Sequence, residues 1–417
     1  MGTAANAINS ELLLKTIFGD GDPAWSAKEE SRLLAEIPED RTWGGDDNGH
    51  VIVVRYSAGA GVSADFVTAQ ATAKESAVAR FTAPERRLYG IRYIDGSFKE
   101  RTASNKHAYV RAVEDAIKMG RWEYNSVWAQ QAWANAGGSL ARIPSAQDLA
   151  LTTITFADAH TASLFEIGRE YQFASDDGTA VSPAGLRDVA KLTVTSVDIE
   201  TYTVTFGDAL NTIPAIAVND YIHLAGNYGK AQDGILAWLP LDATGLGTPF
   251  HGVTRSVHPA KLAGYRYSGR GGRKTDAIRF ALAECRNAGS KPTRVYVNPL
   301  TMAEIVSELQ AFETAPLGGA DPKLGHTGVV FRGTGSSVLL VEEDYAPVGY
   351  GIGLDPKDWR VWTSQSGMGH IDNADGIREM LRVANADAYE IRFKGYGPGI
   401  CPKNDGNGPG NGLIITF

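Results

Sequence analysis

The first residues to consider are those that could bind a phosphate group. Residues 269–275 read GRGGRKT and resemble a phosphate-binding loop, but Arg273 separates the last glycine from Lys274 and no strong strand precedes the segment. In such a loop the lysine directly follows the glycine, so that its ammonium group and the backbone N–H groups surround one phosphate. We interpret the segment as a flexible basic loop. A weaker alternative is a contact between nucleic acid and Arg270 with Arg273.

Candidate metal ligands lack the companions that a metal site requires. His251 and His258 lie seven residues apart in a predicted loop, without an acidic or thiolate companion. A zinc site uses three or four such ligands, so we interpret both histidines as structural. Two acidic pairs lie in glycine-rich loops: Asp20 with Asp22, and Asp46 with Asp47. Neither pair has the twelve-residue spacing, ending in glutamate, of a calcium loop, so we predict that these acids are solvated.

The candidate nucleophiles also favour a structural role. Cys285 shares the apolar face of a predicted helix with Ile278 and Leu282, and no G-x-S-x-G motif is present. We predict no catalytic, cofactor-binding or metal-binding residues, no cofactor and no enzyme activity. The alternative is a β-rich hydrolase or carbohydrate-active enzyme, with its carboxylates among the 48 acidic residues.

Composition narrows the class of protein. A chain of 417 residues has room for two or three domains. Its net charge of −8 argues against a protein that coats nucleic acid. The only cysteines are Cys285 and Cys401, which form no disulfide framework. We find no signal peptide and no run of about 18 apolar residues, so we expect a soluble intracellular protein without a membrane partner.

The longest predicted element is a helix over residues 104–136, and the other elements must be arranged around it. Ser104 is the predicted N-cap, Gly120 permits a bend, and Gly137 ends the helix. Six apolar residues recur at helical spacing and predict one buried face: Tyr109, Val113, Ile117, Tyr124, Trp128 and Ala132. About 33 residues at 1.5 Å each give a rod of roughly 50 Å, so we interpret the helix as a spine.

The segments before the spine are poor in core residues. In residues 1–50 the pattern predicts two short amphipathic helices, and the second carries Leu33, Leu34 and Ile37. Residues 51–102 predict a long hairpin with strands at 51–56, 77–81 and 86–94. Because an isolated hairpin is marginally stable in water, we expect this one to rest on another surface, that of a neighbouring subunit. An ordinary surface hairpin is the alternative.

The segments after the spine predict a β-rich module and then a region of mixed helix and sheet. Within residues 148–228 we predict strands at 165–173, 190–197, 202–206 and 220–224. Residues 233–270 have no regular pattern. A helix over 274–288, capped by Thr275, a strand at 294–297 and a helix that begins at Pro299 follow them. Further strands are predicted at 329–332, 338–342, 352–354, 360–363, 388–394 and 413–417.

Short motifs after the spine carry a family resemblance. The segments GILAWL at 234–239, FHGVTRS at 250–256, Pro259 and LAG at 262–264 are similar to those of major capsid proteins of tailed phages. The segments FEIG at 165–168, VTSVD at 194–198 and VNDYI at 218–222 resemble an inserted module found in some of these proteins. The order of predicted elements agrees with that family over nearly the whole chain.

The resemblance implies an α+β fold, the tailed-phage capsid fold of the Hong Kong 97 type with an inserted β-barrel-like domain. It implies six segments: an N-terminal arm (1–50), an extended β-hairpin or E-loop (51–102), the spine helix of a peripheral domain (103–147), the inserted β domain (148–228), an axial α/β domain (229–380) and returning strands of the peripheral domain (381–417). Some relatives join a hairpin lysine to an asparagine covalently. Lys74 and Asn404 have the residue types, but their positions are unmatched, so the sequence does not predict whether a crosslink forms.

The function implied is that of a major capsid protein. Its copies would form pentamers and hexamers that close an icosahedral shell around double-stranded DNA, without specific recognition of that DNA. The expected location is the virion, after assembly in the host bacterial cytoplasm, with portal, scaffold and decoration proteins as further partners. Another phage structural protein, of the tail or baseplate, remains an alternative, as does the hydrolase.

Charge patterning adds a hypothesis about the subunit interface. Residues 19–50 hold nine acids and three bases, a balance of −6, whereas residues 74–101 hold seven bases and four acids, a balance of +3. We hypothesise that the arm of one subunit meets the hairpin of another. The predicted interface residues are Arg80, Arg86, Arg87 and Arg92 on the hairpin, and Glu29, Glu30, Asp46 and Asp47 on the arm. The alternative is that both segments are solvated, since an exposed ion pair contributes only about 0–1 kcal/mol.

Overall fold

The structure is a computed structural model of the chain, and it contains helices and sheets in comparable measure. It describes residues 31–42, 49–95, 106–180, 182–269, 271–310, 329–331, 337–364, 367–371, 381–383, 387–403 and 408–417. The buried apolar side chains of these residues form three clusters. One belongs to the spine and hairpin base, one to residues 143–222, and one to the sheet and helices near the C-terminus.

The described part of the N-terminal segment is docked on the main core. Helix α1, Arg32–Glu36, buries Leu33 and Leu34, as the sequence predicts, and strand β1, Glu39–Asp40, follows it. Strand β1 pairs in parallel with β16, Trp359–Trp362, which pairs with β20, Gly399–Pro402. The first predicted helix lies outside the described residues.

The predicted hairpin has two strands rather than three. Strand β2, His50–Arg55, pairs antiparallel with β3, Val78–Ala83, and a short helix α2, Phe66–Thr72, lies between them. The third predicted strand exists as β4, Arg86–Asp95, but it pairs along its whole length with β19, Ala388–Gly397. Assigning residues 86–94 to the hairpin was therefore wrong. Of their apolar residues, Leu88 and Ile94 are buried in the cluster that contains the spine.

The spine is helix α3, Lys106–Ala132, and it is shorter than predicted. The predicted face is confirmed where the side chains are described, because Ile117, Tyr124, Trp128 and Ala132 are all buried. The predicted cap Ser104 lies outside the described residues, as do the side chains of Tyr109 and Val113. At 1.5 Å per residue the helix is about 40 Å long.

Gly120 lets the spine approach the sheet of β4 and β19. A Cβ atom at Gly120 would lie 2.5 Å from Cε2 of Phe393, whose ring is buried between helix and sheet. The sequence predicted a bend at Gly120. The structure gives it the different role of a close contact. Two short strands complete this sheet, β17 (His370–Ile371) and β18 (Leu381–Arg382), and both pair with β19.

Residues 139–224 form a six-stranded sheet with its own apolar core. Its strands are β5 (Ser139–Arg142), β6 (Thr153–Thr155), β7 (Glu170–Ala174), β8 (Leu192–Asp198), β9 (Thr203–Phe206) and β10 (Tyr221–Leu224), in the order β5-β10-β7-β8-β9-β6. The four predicted strands are present, and the sequence missed β5, β6 and the short helix α4, Ala159–Ser163. The predicted boundaries of an inserted domain stay predictions.

The remaining residues build a second six-stranded sheet covered by helices. Its order is β11-β21-β15-β12-β14-β13, with β11 (Tyr265–Ser268), β12 (Arg294–Val297), β13 (Val330–Phe331), β14 (Val338–Glu342), β15 (Tyr350–Leu354) and β21 (Leu413–Thr416). Its helices are α5 (Ile235–Trp238), α6 (Pro259–Leu262), α7 (Lys274–Asn287) and α8 (Pro299–Gln310). The prediction of irregular chain over 233–270 missed α5, α6 and β11.

Helix α7 is capped by another helix rather than by its own Thr275. Arg273 occupies the N-cap position without a side-chain hydrogen bond. The carboxylate of Glu308, on α8, accepts hydrogen bonds from the backbone N–H groups of Lys274 and Thr275, both at 3.1 Å. The predicted cap was wrong because this acceptor comes from a residue 33 positions further along the chain.

Candidate assembly surface

The base of the hairpin is anchored in its own subunit. Ile52 and Val54 on β2, and Phe81 and Ala83 on β3, are fully buried. The ring of Phe81 contacts the indole of Trp238 edge to face, with 5.2 Å between ring centroids. The prediction that the hairpin buries little against its own subunit is therefore wrong for its base.

The outer part of the hairpin, residues 56–77, is the hairpin tip, and it has a different character. Helix α2 has no buried residue, and the side chains of Val62, Phe66 and Val67 are all at least 70% exposed. Asp65 caps the helix through Oδ2, which accepts from the N–H of Thr68 at 2.8 Å and from its hydroxyl at 2.7 Å. These two hydrogen bonds lower the pKa of Asp65. A seven-residue helix is marginal in water, yet this one displays apolar side chains to solvent. Exposed apolar side chains grouped in this way are typical of interaction surfaces.

A second exposed apolar surface lies on the sheet of β4 and β19, on the face away from the spine. Alternate residues of β4 point to this outer sheet face, so that Tyr89, Ile91 and Tyr93 are each at least half exposed. Their neighbours across the ladder are Lys394, Arg392 and Glu390 of β19. The opposite face buries Leu88, Ile94, Ile391 and Phe393. The outer sheet face therefore combines aromatic area with charges of both signs.

The four arginines predicted for the interface do not form one cluster. Arg80 is exposed on β3, and no acidic partner for it occurs among the described residues. Arg86 donates through Nη1 to the carbonyl oxygen of Gly229 at 2.7 Å, which ties β4 to the loop after β10. Arg87 pairs with Glu85 at 3.0 Å, and Arg92 pairs with Glu123 at 2.9 Å.

The acidic half of the predicted interface cannot be placed. Glu29, Glu30, Asp46 and Asp47 lie outside the described residues, so the contact between arm and hairpin stays a prediction. Sequence reasoning missed the apolar side chains of the tip and of the outer sheet face. A signal was available, because Phe66-Val67 and the alternating Tyr89, Ile91 and Tyr93 stand in segments otherwise rich in polar residues.

The candidate chemical residues are structural where they are described. The Nε2 atom of His251 lies 2.6 Å from Oδ2 of Asp233, and both side chains are buried. The prediction that His251 lacks an acidic companion was therefore wrong, although its structural role is confirmed. His258 accepts the backbone N–H of Lys261 through Nδ1 at 3.3 Å and caps α6. Cys285 is buried as predicted, and burial raises the pKa of its thiol to about 11.

A cleft beside the spine is lined by few residues that could take part in catalysis. A cavity of about 190 Å³ lies between β4, α3 and residues 224–227. The only carboxylate in its lining is Glu123, which is paired with Arg92. Glycosidases use two carboxylates, so this cleft does not favour the hydrolase alternative. Among the described residues, no three metal-ligating side chains come together, and no helix is long and apolar enough to span a membrane.

Comparison with known proteins identifies similar solved structures only. No family model matches the sequence, and neither does any curated protein. The chain is similar to a subunit of the cyanophage A-1(L) capsid asymmetric unit, at 9% identity and a TM-score of 0.44, over 92% of this chain and 87% of that one. It is similar to a structure from Mycobacterium phage Bobi at 9% identity and a TM-score of 0.40, over 93% and 90% of the two chains.

A third similar structure is the satellite phage P4 procapsid that includes the size determination (Sid) protein. The identity is 11% and the TM-score 0.36, over 94% of this chain and 96% of that one. Identities this low concern the fold alone, and the TM-scores are all below 0.5. We therefore argue the function from the residues of this chain.

Proposed function

We propose that this chain is a shell-forming structural protein, the major capsid protein of a tailed phage, and that it is not an enzyme. The observation that carries the proposal is the hairpin. Its base is fixed in the subunit core, while its tip holds a capped helix with exposed Val62, Phe66 and Val67. Exposed apolar side chains that lie together in this way are typical of a surface that binds another molecule.

The occupant that we propose for the tip is a second copy of the same chain. The outer sheet face offers the exposed apolar area of Tyr89, Ile91 and Tyr93, beside charges that can satisfy polar groups of the tip. A contact between two different surfaces of identical subunits is heterologous, and such a contact generates closed rings when the rotation between neighbours closes. Pentamers and hexamers are rings of this kind.

The finer parts of the function follow from the resemblance in the sequence. We propose that the rings close an icosahedral shell around double-stranded DNA, in a virion assembled in the host cytoplasm. A net charge of −8 suits a wall that encloses DNA without adhering to it. Portal, scaffold and decoration proteins are further proposed partners.

The test compares assembly of the wild-type chain with a tip variant. Replacing Phe66 and Val67 by serine changes two exposed side chains and should leave the subunit folded, because α2 has no buried residue. We expect closed shells from the wild type in electron micrographs. We expect unassembled, folded subunits from Phe66→Ser/Val67→Ser.

The matched control carries the same change on the inserted module. Ile167 and Val189 are exposed to a similar extent, at 65% and 79%, and lie away from the tip. Ile167→Ser/Val189→Ser should assemble as the wild type does. Normal shells from the tip variant would contradict the role of the tip, and tubes from the wild type would identify a tail protein. A discrete small oligomer with hydrolytic turnover would identify the enzyme alternative.

A further inference from the structure

Residues 31–37 form a short segment that packs on the core, and we call it the latch. Leu33, Leu34 and Ile37 are buried in the same cluster as the spine. Ser31 caps α1, since its hydroxyl accepts the N–H of Leu34 at 3.4 Å. The preceding residues of the chain continue from Ser31. The latch is therefore the first segment of the chain whose position the structure describes.

The latch is held at both ends by polar groups of the second six-stranded sheet. At its start, Oε2 of Glu343 accepts from the hydroxyl of Ser31 at 3.1 Å and from the N–H of Leu33 at 2.9 Å. At its end, the carboxylate of Glu36 accepts from the hydroxyl of Tyr296, and Nε of Arg294 lies 3.1 Å from it. Each end thus places a carboxylate beside buried polar groups.

Docking of the latch disfavours the charged form of Glu343. Its side chain is only 2% exposed, and its second oxygen, Oε1, has no hydrogen-bond partner among the described residues. Burial acts to raise the pKa of Glu343, the hydrogen bonds from Leu33, Ser31 and the backbone of Tyr345 oppose the rise, and the nearby Asp344 adds to it. The net effect raises this pKa from 4.5 to about 7. A proton on Oε1 would leave both hydrogen bonds to Oε2 in place.

Other titratable groups surround this site from every element packed on it. Helix α1 contributes Glu36 and the half-buried Arg32, and strand β12 contributes Arg294 and Tyr296. Asp344 follows β14 and lies near His160 of α4. Burial lowers the pKa of His160, so the buried site disfavours the charged form of this imidazole. Burial also raises the pKa of Tyr296 well above its usual value.

We propose that docking of the latch is coupled to protonation of Glu343, so that the latch is held at acidic pH and loosened near neutral pH. When the latch leaves, water reaches Glu343 and its pKa returns towards 4.5. The docked state therefore binds an extra proton between these values. The stabilisation of the docked state by this proton is complete below pH 4.5 and is lost as the pH rises through about 7. Release of seven residues would lengthen the reach of the N-terminal segment by roughly 20 Å.

The test measures hydrogen exchange of the latch amides in the full chain, as protection factors that divide out the intrinsic pH dependence of exchange. A group that titrates near 7 when docked and near 4.5 when exposed predicts a fall in protection of about 30-fold between pH 5.5 and pH 8. In Glu343→Gln, which keeps an acceptor oxygen but cannot titrate, protection should be the same at both values.

Two controls keep the outcome clear. Glu342→Gln makes the same change one residue earlier and should keep the wild-type fall. Ser31→Ala removes one donor that opposes the raised pKa of Glu343, so it should lower protection more at pH 8 than at pH 5.5 and make the fall larger. Wild-type protection that is equal at pH 5.5 and 8, or an undiminished fall in Glu343→Gln, would overturn the proposal. If Glu343→Gln does not fold, the wild-type profile decides, and a midpoint near 4.5 would overturn it. The measurement uses isolated subunits, so its result is independent of whether shells form.

Discussion

Gly234 offers a sharp test of how the returning chain packs against the end of the spine. Its φ of −101° is accessible to any residue, so the glycine is not required by backbone conformation. It is required by space, because a Cβ atom there would lie within 2.8 Å of three carbonyl oxygens, those of Gln131, Ala132 and Ala134. Backbone oxygens at the end of a packed helix cannot turn aside as a flexible side chain can.

The magnitude for Gly234→Ala follows from three contributions. Overpacking of this kind costs about 1–3 kcal/mol, and three backbone contacts place it at the upper end. Replacing glycine at an N-cap position by alanine adds a few tenths of a kcal/mol. The lower entropy of the unfolded chain returns about 0.4–1 kcal/mol. We expect a net loss of about 2–3 kcal/mol in the free energy of unfolding.

The assay is urea unfolding followed by tryptophan fluorescence. All eight tryptophans lie outside residues 148–228, so this signal reports the main body and not the inserted module. With a slope of about 2–3 kcal/mol per molar urea, the midpoint should fall by about 1 M. Gly245→Ala is the matched control, because a Cβ atom there meets nothing within 4 Å, and it should leave the midpoint unchanged or slightly higher. Equal midpoints for the two variants would refute the reasoning.

Three further predictions concern the module, the helix cap and the charges. Residues 139–228 expressed alone should unfold cooperatively, because their apolar core is internal, and a featureless melt by circular dichroism would contradict this. Glu308→Ala should cost about 1 kcal/mol at pH 7 in chemical denaturation, whereas Glu308→Gln should cost less. Burial acts to raise the pKa of Glu308, but the hydrogen bonds from Lys274 and Thr275 lower it overall. The contribution of its carboxylate should therefore fade as the pH falls below the ordinary value of 4.5, and a cost that is constant down to pH 3 would speak against the cap. Reversal of both Arg86 and Arg87 to glutamate should reduce shell yield, and added salt should reduce the wild-type yield, whereas an unchanged yield and salt response would mean that these charges make no contact between subunits.

Periodic patterns in the sequence predicted the elements that have one dominant face. The spine was identified because Ile117, Tyr124 and Trp128 repeat at helical spacing, and residues 294–297 were placed as a strand with the observed ends. The mixture of helix and sheet follows from such local patterns, which do not depend on what the element contacts.

The errors arose where a distant residue decides the local structure. Strand β4 looked like part of the hairpin because it is close in sequence, but its partner β19 lies about 300 residues away. The cap of α7 and the companion of His251 are likewise supplied from other elements, by Glu308 and Asp233. The exposure of the tip was missed for a related reason. An apolar residue in a polar segment predicts that its side chain is covered, but the pattern does not say whether the covering surface belongs to the same molecule or to another.

The place of strand β21 has a consequence for the order of folding during synthesis. Residues 413–416 lie inside the second six-stranded sheet, in parallel pairing with β11 and in antiparallel pairing with β15. Tyr265 therefore waits for its partner Leu413 while the ribosome adds about 150 residues, which at 5–20 residues per second takes roughly 7–30 seconds. Until then the edges of β11 and β15 are open, and a nascent chain exposes them to other nascent chains on the same message. A ribosome that stops early releases a subunit whose sheet has a gap between β11 and β15.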